Sequence, residues 1–353
     1  MYVSRKHLLS VLNALYDSGT TKISVKHPCE TIGELFRFDL EDNGIATVRF
    51  TQGAVTYQEN REAVEIEHGS QVFEDLPDEN SYIRGVIGGG LLPLENHDDL
   101  LEFVRRRGYP DLEAGHSPIM IGLDTNLMGF RIPEVLDIDP RTGRSDASDR
   151  PATTGYALSK GVKKELDWHY KHYETRRLTE AFGEEFARLQ NQPAGDNREG
   201  FLGLYEFRRL ASRRTADLVP AEDTDEIGTG DEEIIEAYRQ YDIGNRKRVL
   251  LFSNDYGFID NAQEAGVWAH HVSFPIDLPR TTTASWEDVA NALYVLAVQF
   301  GVLQLPKITL YGVWDGKTGK HWQDEKVEVD VRSPVIEPKL GRAIQIVERF
   351  DQR

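Results

Sequence analysis

The chain has 353 residues, and its 59 Asp and Glu against 41 Lys and Arg leave a formal net charge of −18. That surplus excludes long-range attraction to nucleic acid through the overall field, so a polyanionic partner has to be gripped by local basic patches. A lone cysteine, Cys29, excludes an internal disulfide and any Cys-based zinc cluster, which makes a reducing, cytoplasmic compartment the expectation. The longest apolar stretch, 289–305, is interrupted by Asn291, Tyr294 and Gln299 and falls short of a membrane span, so no membrane partner is expected.

Length and pattern divide the chain into three modules. Residues 1–115 read as an N-terminal α+β module. A helix over 4–16 carries Leu8, Leu9, Leu12 and Leu15 on one face, strand-like runs follow at 22–26, 34–40, 45–51, 54–58 and 63–67, and a second helix covers 98–107. Gly88-Gly89-Gly90 lacks the Lys-Ser/Thr of a phosphate loop and reads as a turn.

Residues 116–274 change to strands alternating with helices, the α/β signature of a mostly parallel sheet. Strands are predicted at 118–124, 155–159, 248–253 and 267–274, and helices at 161–174, 177–189, 201–213, 231–241 and 256–265. Polar stretches at 137–151 and 216–230 interrupt this pattern and read as loops. Residues 275–353 form a C-terminal module: a helix over 286–303, a β-hairpin from 308–314 and 326–331, and a closing helix over 340–350.

Four acids stand out against the solvated majority because each lies at the end of an apolar segment or within a helical one: Asp124, Glu165, Asp231 and Asp255. Asp124 closes the run Pro118-Ile-Met-Ile-Gly-Leu-Asp124, and Asp255 ends Arg248-Val-Leu-Leu-Phe-Ser-Asn-Asp255. Carboxylates at the tips of two parallel strands converge where open α/β sheets place their ligand sites. Hard divalent cations take such oxygen donors, which suggests a metal-dependent nuclease site. Asp231, Glu232 and Glu233 are consecutive and point in different directions on a helix, so only one or two of them can reach a common metal; favouring a helix N-terminus is the other role for all three. Thr125 and Ser253 place hydroxyls beside the acids, suited to bonding a carboxylate or a water, with a simple helix cap as the other role for Thr125. His270 and His271 point to opposite faces of a strand and cannot chelate jointly.

The segments Gly122-Leu-Asp-Thr-Asn-Leu-Met128, Gly161-Val-Lys-Lys-Glu-Leu166, Asp231-Glu-Glu-Ile-Ile-Glu-Ala237 and Leu250-Leu-Phe-Ser-Asn-Asp-Tyr-Gly-Phe258 together resemble the PIN-domain nuclease family in order and rough spacing. The resemblance covers 118–274, under half of the chain. It implies a PIN-like doubly wound parallel sheet in an α/β/α sandwich, with Mg²⁺ or Mn²⁺ among Asp124, Glu165, Asp231 or Glu232, and Asp255. It further implies an endoribonuclease leaving 5′-phosphate and 3′-hydroxyl ends. Asp124 and Asp255 are the preferred ligands, while Glu165 and Asp231 hold a second ion or orient the attacking water. A structure-specific DNA nuclease and a catalytically silent RNA- or protein-binding scaffold are the alternatives.

An RNA partner needs cations, and the arginines near aromatic residues are the candidates: Arg176, Arg177, Arg208, Arg209, Arg213 and Arg214. The competing account for those of 208–214 is pairing with nearby acids such as Glu206 and Asp217, or a solvated helix face. The acidic, arginine-preferring composition itself resembles that of salt-loving archaea, where ionic strength near 1 M shortens the screening length to ~3 Å. The flanking modules leave an oligomer open.

Overall fold

In the computed structural model, which describes residues 1–107, 115, 117–136, 155–168, 175–190, 195–212, 216–220, 230–245, 247–312 and 325–351, thirteen strands form two sheets among the described residues. They are β1 Tyr2–Ser4, β2 Lys22–Lys26, β3 Glu34–Leu40, β4 Ile45–Phe50, β5 Ile119–Leu123, β6 Gly155–Ser159, β7 Ala216–Val219, β8 Arg248–Ser253, β9 Trp268–His271, β10 Thr281–Ser285, β11 Val302–Leu305, β12 Ile308–Tyr311 and β13 Lys326–Val331. The chain is thus mixed α/β, with one antiparallel and one parallel sheet. It divides into two compact units, one of Met1–Leu92, Lys171–Glu199 and Ile276–Arg353, the other of Pro93–Tyr170 and Gly200–Pro275.

The first unit holds the antiparallel sheet, in the order β1-β13-β12-β11-β2-β3-β4-β10. Alternation makes it: in β4, Ala46, Val48 and Phe50 are buried while Ile45, Thr47 and Arg49 are not. Its central helix, Trp286–Phe300, opens on a capping box between Ser285 and Asp288 and is buried from Val289 almost throughout. That helix stops at Phe300, short of the expected 303, because Gly301 turns the chain at φ 77° into β11. The stretches 1–115 and 275–353, read as separate modules, supply strands to this one sheet through pairings such as Tyr2 with Glu328 and Thr282 with Val48.

Three expectations change in this unit. Residues 54–58 and 63–67, expected as strands, lie in one helix, Ala54–His68. Ala54, Tyr57, Arg61 and Val64 are buried at helical spacing, while Val55 and Ile66, which suggested strand alternation, are exposed. The segment expected as a helix over 177–189 is a short helix, Arg176–Phe182, followed after Gly183 by a 3₁₀ turn, Glu184–Leu189. It belongs here and not with the parallel sheet, since Phe182 and Phe186 pack edge-on against buried His27 at ring-centroid distances of 5.0 and 5.4 Å.

The second unit holds the parallel sheet, ordered β7-β6-β5-β8-β9. Its central strands β5 and β6 are buried at every residue, as expected of a parallel sheet covered on both faces. The polar stretch 216–230, expected as a loop, contributes edge strand β7, and residues 221–229 lie outside the described residues together with 137–151. Helix His97–Arg107 joins this unit: Asn96 donates to the His271 carbonyl at 2.8 Å and accepts the Ser273 N–H at 2.9 Å, fastening the helix start to the end of β9. No helix of the described residues is long and apolar enough to cross a membrane.

Candidate active site

The order of the parallel strands reverses direction between β5 and β8, its two neighbours at the centre. At such a switch point the loops leaving the carboxyl ends diverge and open a crevice. Leu123 pairs with Phe252 at those ends, so the residues just beyond them, Asp124 and Ser253 to Asp255, come out side by side.

Asp124 is 4% exposed and anchored at both oxygens. One oxygen accepts the Thr125 N–H at 2.6 Å and the other accepts the Ser253 hydroxyl at 2.6 Å. The buried Ser253 Oγ also accepts the backbone N–H of Asp255 at 3.0 Å, so a single hydroxyl links the two strand-end acids. Asp255 in turn caps the helix Tyr256–Glu264, accepting from Gly257 N at 2.7 Å and Phe258 N at 3.2 Å. Asn126 completes the frame: its side chain lies 3.4 Å from both Ser253 Oγ and the Asn254 N–H.

Glu165 reaches this edge from the helix Lys160–Trp168 and accepts a hydrogen bond from the Thr125 hydroxyl. Asp124, not Thr125, caps the short helix Thr125–Met128, which leaves the Thr125 side chain to hold Glu165. Asp231 opens the helix Asp231–Asn245, and a Cβ built on the preceding Gly230 would lie 3.7 Å from Glu165 Oε1. Tyr238, seven residues on and therefore on the face of Asp231, donates to the Leu123 carbonyl at 3.1 Å and accepts the Ser159 N–H at 3.3 Å. It approaches so closely because residue 122 is glycine: a Cβ there would sit 2.8 Å from Val249 Cγ1 and 3.2 Å from the Tyr238 ring. This anchor sets the helix phase that brings Asp231 into the field of Asp124 and Asp255, while Glu233 faces Lys164 at 3.8 Å; Asp231 and Glu232 are both exposed.

Electrostatics record the same convergence. Burial pushes the Asp124 carboxyl up to about 7; the Ser253 and Thr125 hydrogen bonds oppose it, and the charges of Asp231 and Glu165 add to it. Asp231 is raised as well, by partial desolvation and then by the charge of Asp255. Asp124 therefore lies in the fields of Asp231 and Glu165, and Asp231 in that of Asp255. Among the described residues no three His, Cys, Asp or Glu groups stand close enough together to hold an ion.

The cations divide differently from the expectation. Arg208 lines an open cavity of about 790 Å³ with Lys160, Lys163 and Lys164, together with Phe207, Ala211, Ser212 and Leu218. The lysines are legible in the sequence as an i, i+3, i+4 set immediately before Glu165, a signal that a reading centred on arginine passes over. Arg209 is no groove residue: it forks onto buried Glu206 at 2.6 and 2.7 Å and reaches Glu134 at 2.7 Å, inside an ion-pair cluster with Arg131. Arg176 and Arg177 belong to the other unit, where both are exposed and Arg176 pairs with Glu180, and Arg213 and Arg214 lie outside the described residues.

Compared with protein families, curated proteins and solved structures, the chain matches none.

Proposed function

We propose that the chain is a metal-dependent nuclease that hydrolyses phosphodiester bonds in RNA at the carboxylate cluster of the parallel sheet. The observation that carries the reading is the gathering of Asp124, Glu165, Asp231 and Asp255 from four separate elements at the carboxyl edge of that sheet, at its switch point. Gathering like charges is costly, and a scaffold without chemistry has nothing to offset the expense. RNA as the substrate, and the PIN-like arrangement of the sheet, rest on the resemblance of the motif segments.

The donor types suit Mg²⁺ or Mn²⁺, being carboxylates with serine, threonine and asparagine oxygens beside them, although no three acidic groups among the described residues stand close enough together to hold an ion. Mg²⁺ keeps much of its shell as water and asks for only one or a few protein carboxylates. Asp124 and Asp255 would hold the ion, with Glu165 and Asp231 toward a second ion or the attacking water. When bound, such an ion supplies an activated water and neutralises charge on the scissile phosphate. The chain's own part is orientation. Ser253 fixes one oxygen of Asp124, Thr125 fixes Glu165, and the helix start holds Asp255. Lys160, Lys163, Lys164 and Arg208 then provide the local positive track that an acidic chain needs for a polyanion.

The test is cleavage of matched RNA and DNA oligonucleotides, single-stranded and hairpin, in Mg²⁺, Mn²⁺ or EDTA at low and high KCl. Metal-dependent cleavage of RNA to 5′-phosphate ends, lost in Asp124→Asn, is expected. No cleavage in any condition, or equal cleavage by the variant, overturns the reading, and cleavage of DNA alone transfers it to a DNA nuclease.

A further inference from the structure

Directly after Asp255, at the first turn of its helix, Tyr256 is 67% exposed. It is not a loose surface side chain. Its ring lies flat on His271, with centroids 3.6 Å apart and planes 9° from parallel. His271 ends β9 in register with Ser253. Both imidazole nitrogens are engaged, Nδ1 3.1 Å from Ser273 Oγ and Nε2 3.0 Å from the Asn254 carbonyl. Asn254 is itself tied to the Val272 carbonyl at 3.0 Å. The imidazole is thus clamped, and it backs one face of the tyrosine ring while the ring remains largely in water. An aromatic plate held rigid beside a phosphodiester site has the form of the stacking platforms that receive unpaired bases.

We propose that Tyr256, backed by His271, is a stacking platform for an unpaired nucleobase next to the bond cleaved at the acids. The inference rests on the nuclease reading and deepens it by naming the substrate class. A base inside a duplex already has both faces covered, so the strand must be single-stranded or locally unstacked at this position. Every base has a π-face, so the platform selects exposure and tolerates sequence.

The experiment measures binding separately from turnover, in an Asp124→Asn background. The probe is a fluorescein-labelled single-stranded 15-mer oligoribonucleotide, read by fluorescence anisotropy, with each position made abasic in turn. Tyr256→Ala and Tyr256→Leu are expected to weaken binding roughly 5- to 150-fold, the range for loss of one stacked base. Tyr256→Phe and Tyr256→Trp should retain it. The loss should disappear with the one oligonucleotide that lacks the stacked base, and the salt dependence should stay unchanged because no cation is removed. Equal affinity for the parent and both truncations, or a loss that ignores abasic position, overturns the platform and leaves the nuclease reading standing. If the Tyr256-containing protein binds no oligonucleotide, the nuclease reading falls and the platform with it.

Discussion

Ser253 donates its hydroxyl hydrogen to Asp124 Oδ2 at 2.6 Å, binding together residues 129 positions apart in the chain. Because the Ser253 Oγ also accepts the Asp255 N–H, this hydroxyl sets the spacing of the two strand-end acids. The carboxylate it restrains is buried among other acids, and that conflict sets the behaviour of the first variant.

Asp124→Asn should abolish hydrolysis and stabilise the metal-free protein at pH 8. Asp124 holds its proton up to about pH 7 when folded, against an ordinary value of 3.8. Below 3.8 both states are protonated and this group costs nothing. As pH rises toward 7 only the unfolded carboxyl ionises, so stability falls, by on the order of 4 kcal/mol once the folded group has also ionised. Urea denaturation in EDTA at pH 3.5 and pH 8 checks the sign. A variant no more stable than the parent at pH 8 would count against the buried, crowded carboxylate.

Thr125→Val removes the hydroxyl that steadies Glu165 and preserves side-chain volume. If Glu165 works at the reacting phosphate, kcat should fall about tenfold, as for loss of a hydrogen bond orienting a metal-site ligand, with KM little changed. Unaltered kcat would remove Glu165 from the chemistry or Thr125 from its positioning.

Replacing Lys160, Lys163, Lys164 and Arg208 together by Gln should weaken RNA binding and flatten the plot of log K against log salt by about 0.7 for each single-strand phosphate that is no longer neutralised. Binding and slope both unchanged in a folded variant would move the RNA path away from this groove.

Arg209→Gln should behave in the opposite way, leaving the salt slope alone and unfolding the protein more easily. Glu206 is 1% exposed and would lose its bidentate partner, a loss on the order of 3–5 kcal/mol for a buried carboxylate left unpaired. A thermal melt separates the two arginines: one neighbour should shift it little and the other by many degrees.

His27 supplies a pH dependence of the other sign. Burial, with the Arg198 charge adding to it, lowers its pKa from 6.5 to about 3. Above 6.5 the ring is neutral in both states; as pH falls below 6.5 only the unfolded chain takes up the proton, so stability declines until about pH 3. Between pH 7 and 4 the loss is roughly 3 kcal/mol, and His27→Leu should shrink the difference between denaturation midpoints at those two pH values. An undiminished difference would show that other groups govern the acid limb.

What the sequence by itself determined was local: which apolar runs end in a carboxylate, where the alternation of strands and helices begins, and that Asp124 and Asp255 leave the tips of two strands. These follow from side-chain period and short apolar runs, which act within a few residues. Tertiary structure decided the rest. Residues 54–58 and 63–67 each carry an alternation that reads as strand, yet burial of Tyr57, Arg61 and Val64 along one stripe makes a helix that leaves Ile66 in water. Pairings such as Thr282 with Val48 join stretches more than two hundred residues apart, and no local pattern encodes which distant backbone will complete a ladder. The same holds for the cations. Arg208 and Arg209 are neighbours with one chemistry, and only the approach of Glu134 beside Glu206 commits the second to an ion-pair cluster while the first lines a groove with three lysines. Asp231 and Glu232 show the same: helical phase offers both, and the hydrogen bonds of Tyr238 to the ends of β5 and β6 set the rotation that brings Asp231 into the fields of Asp124 and Asp255.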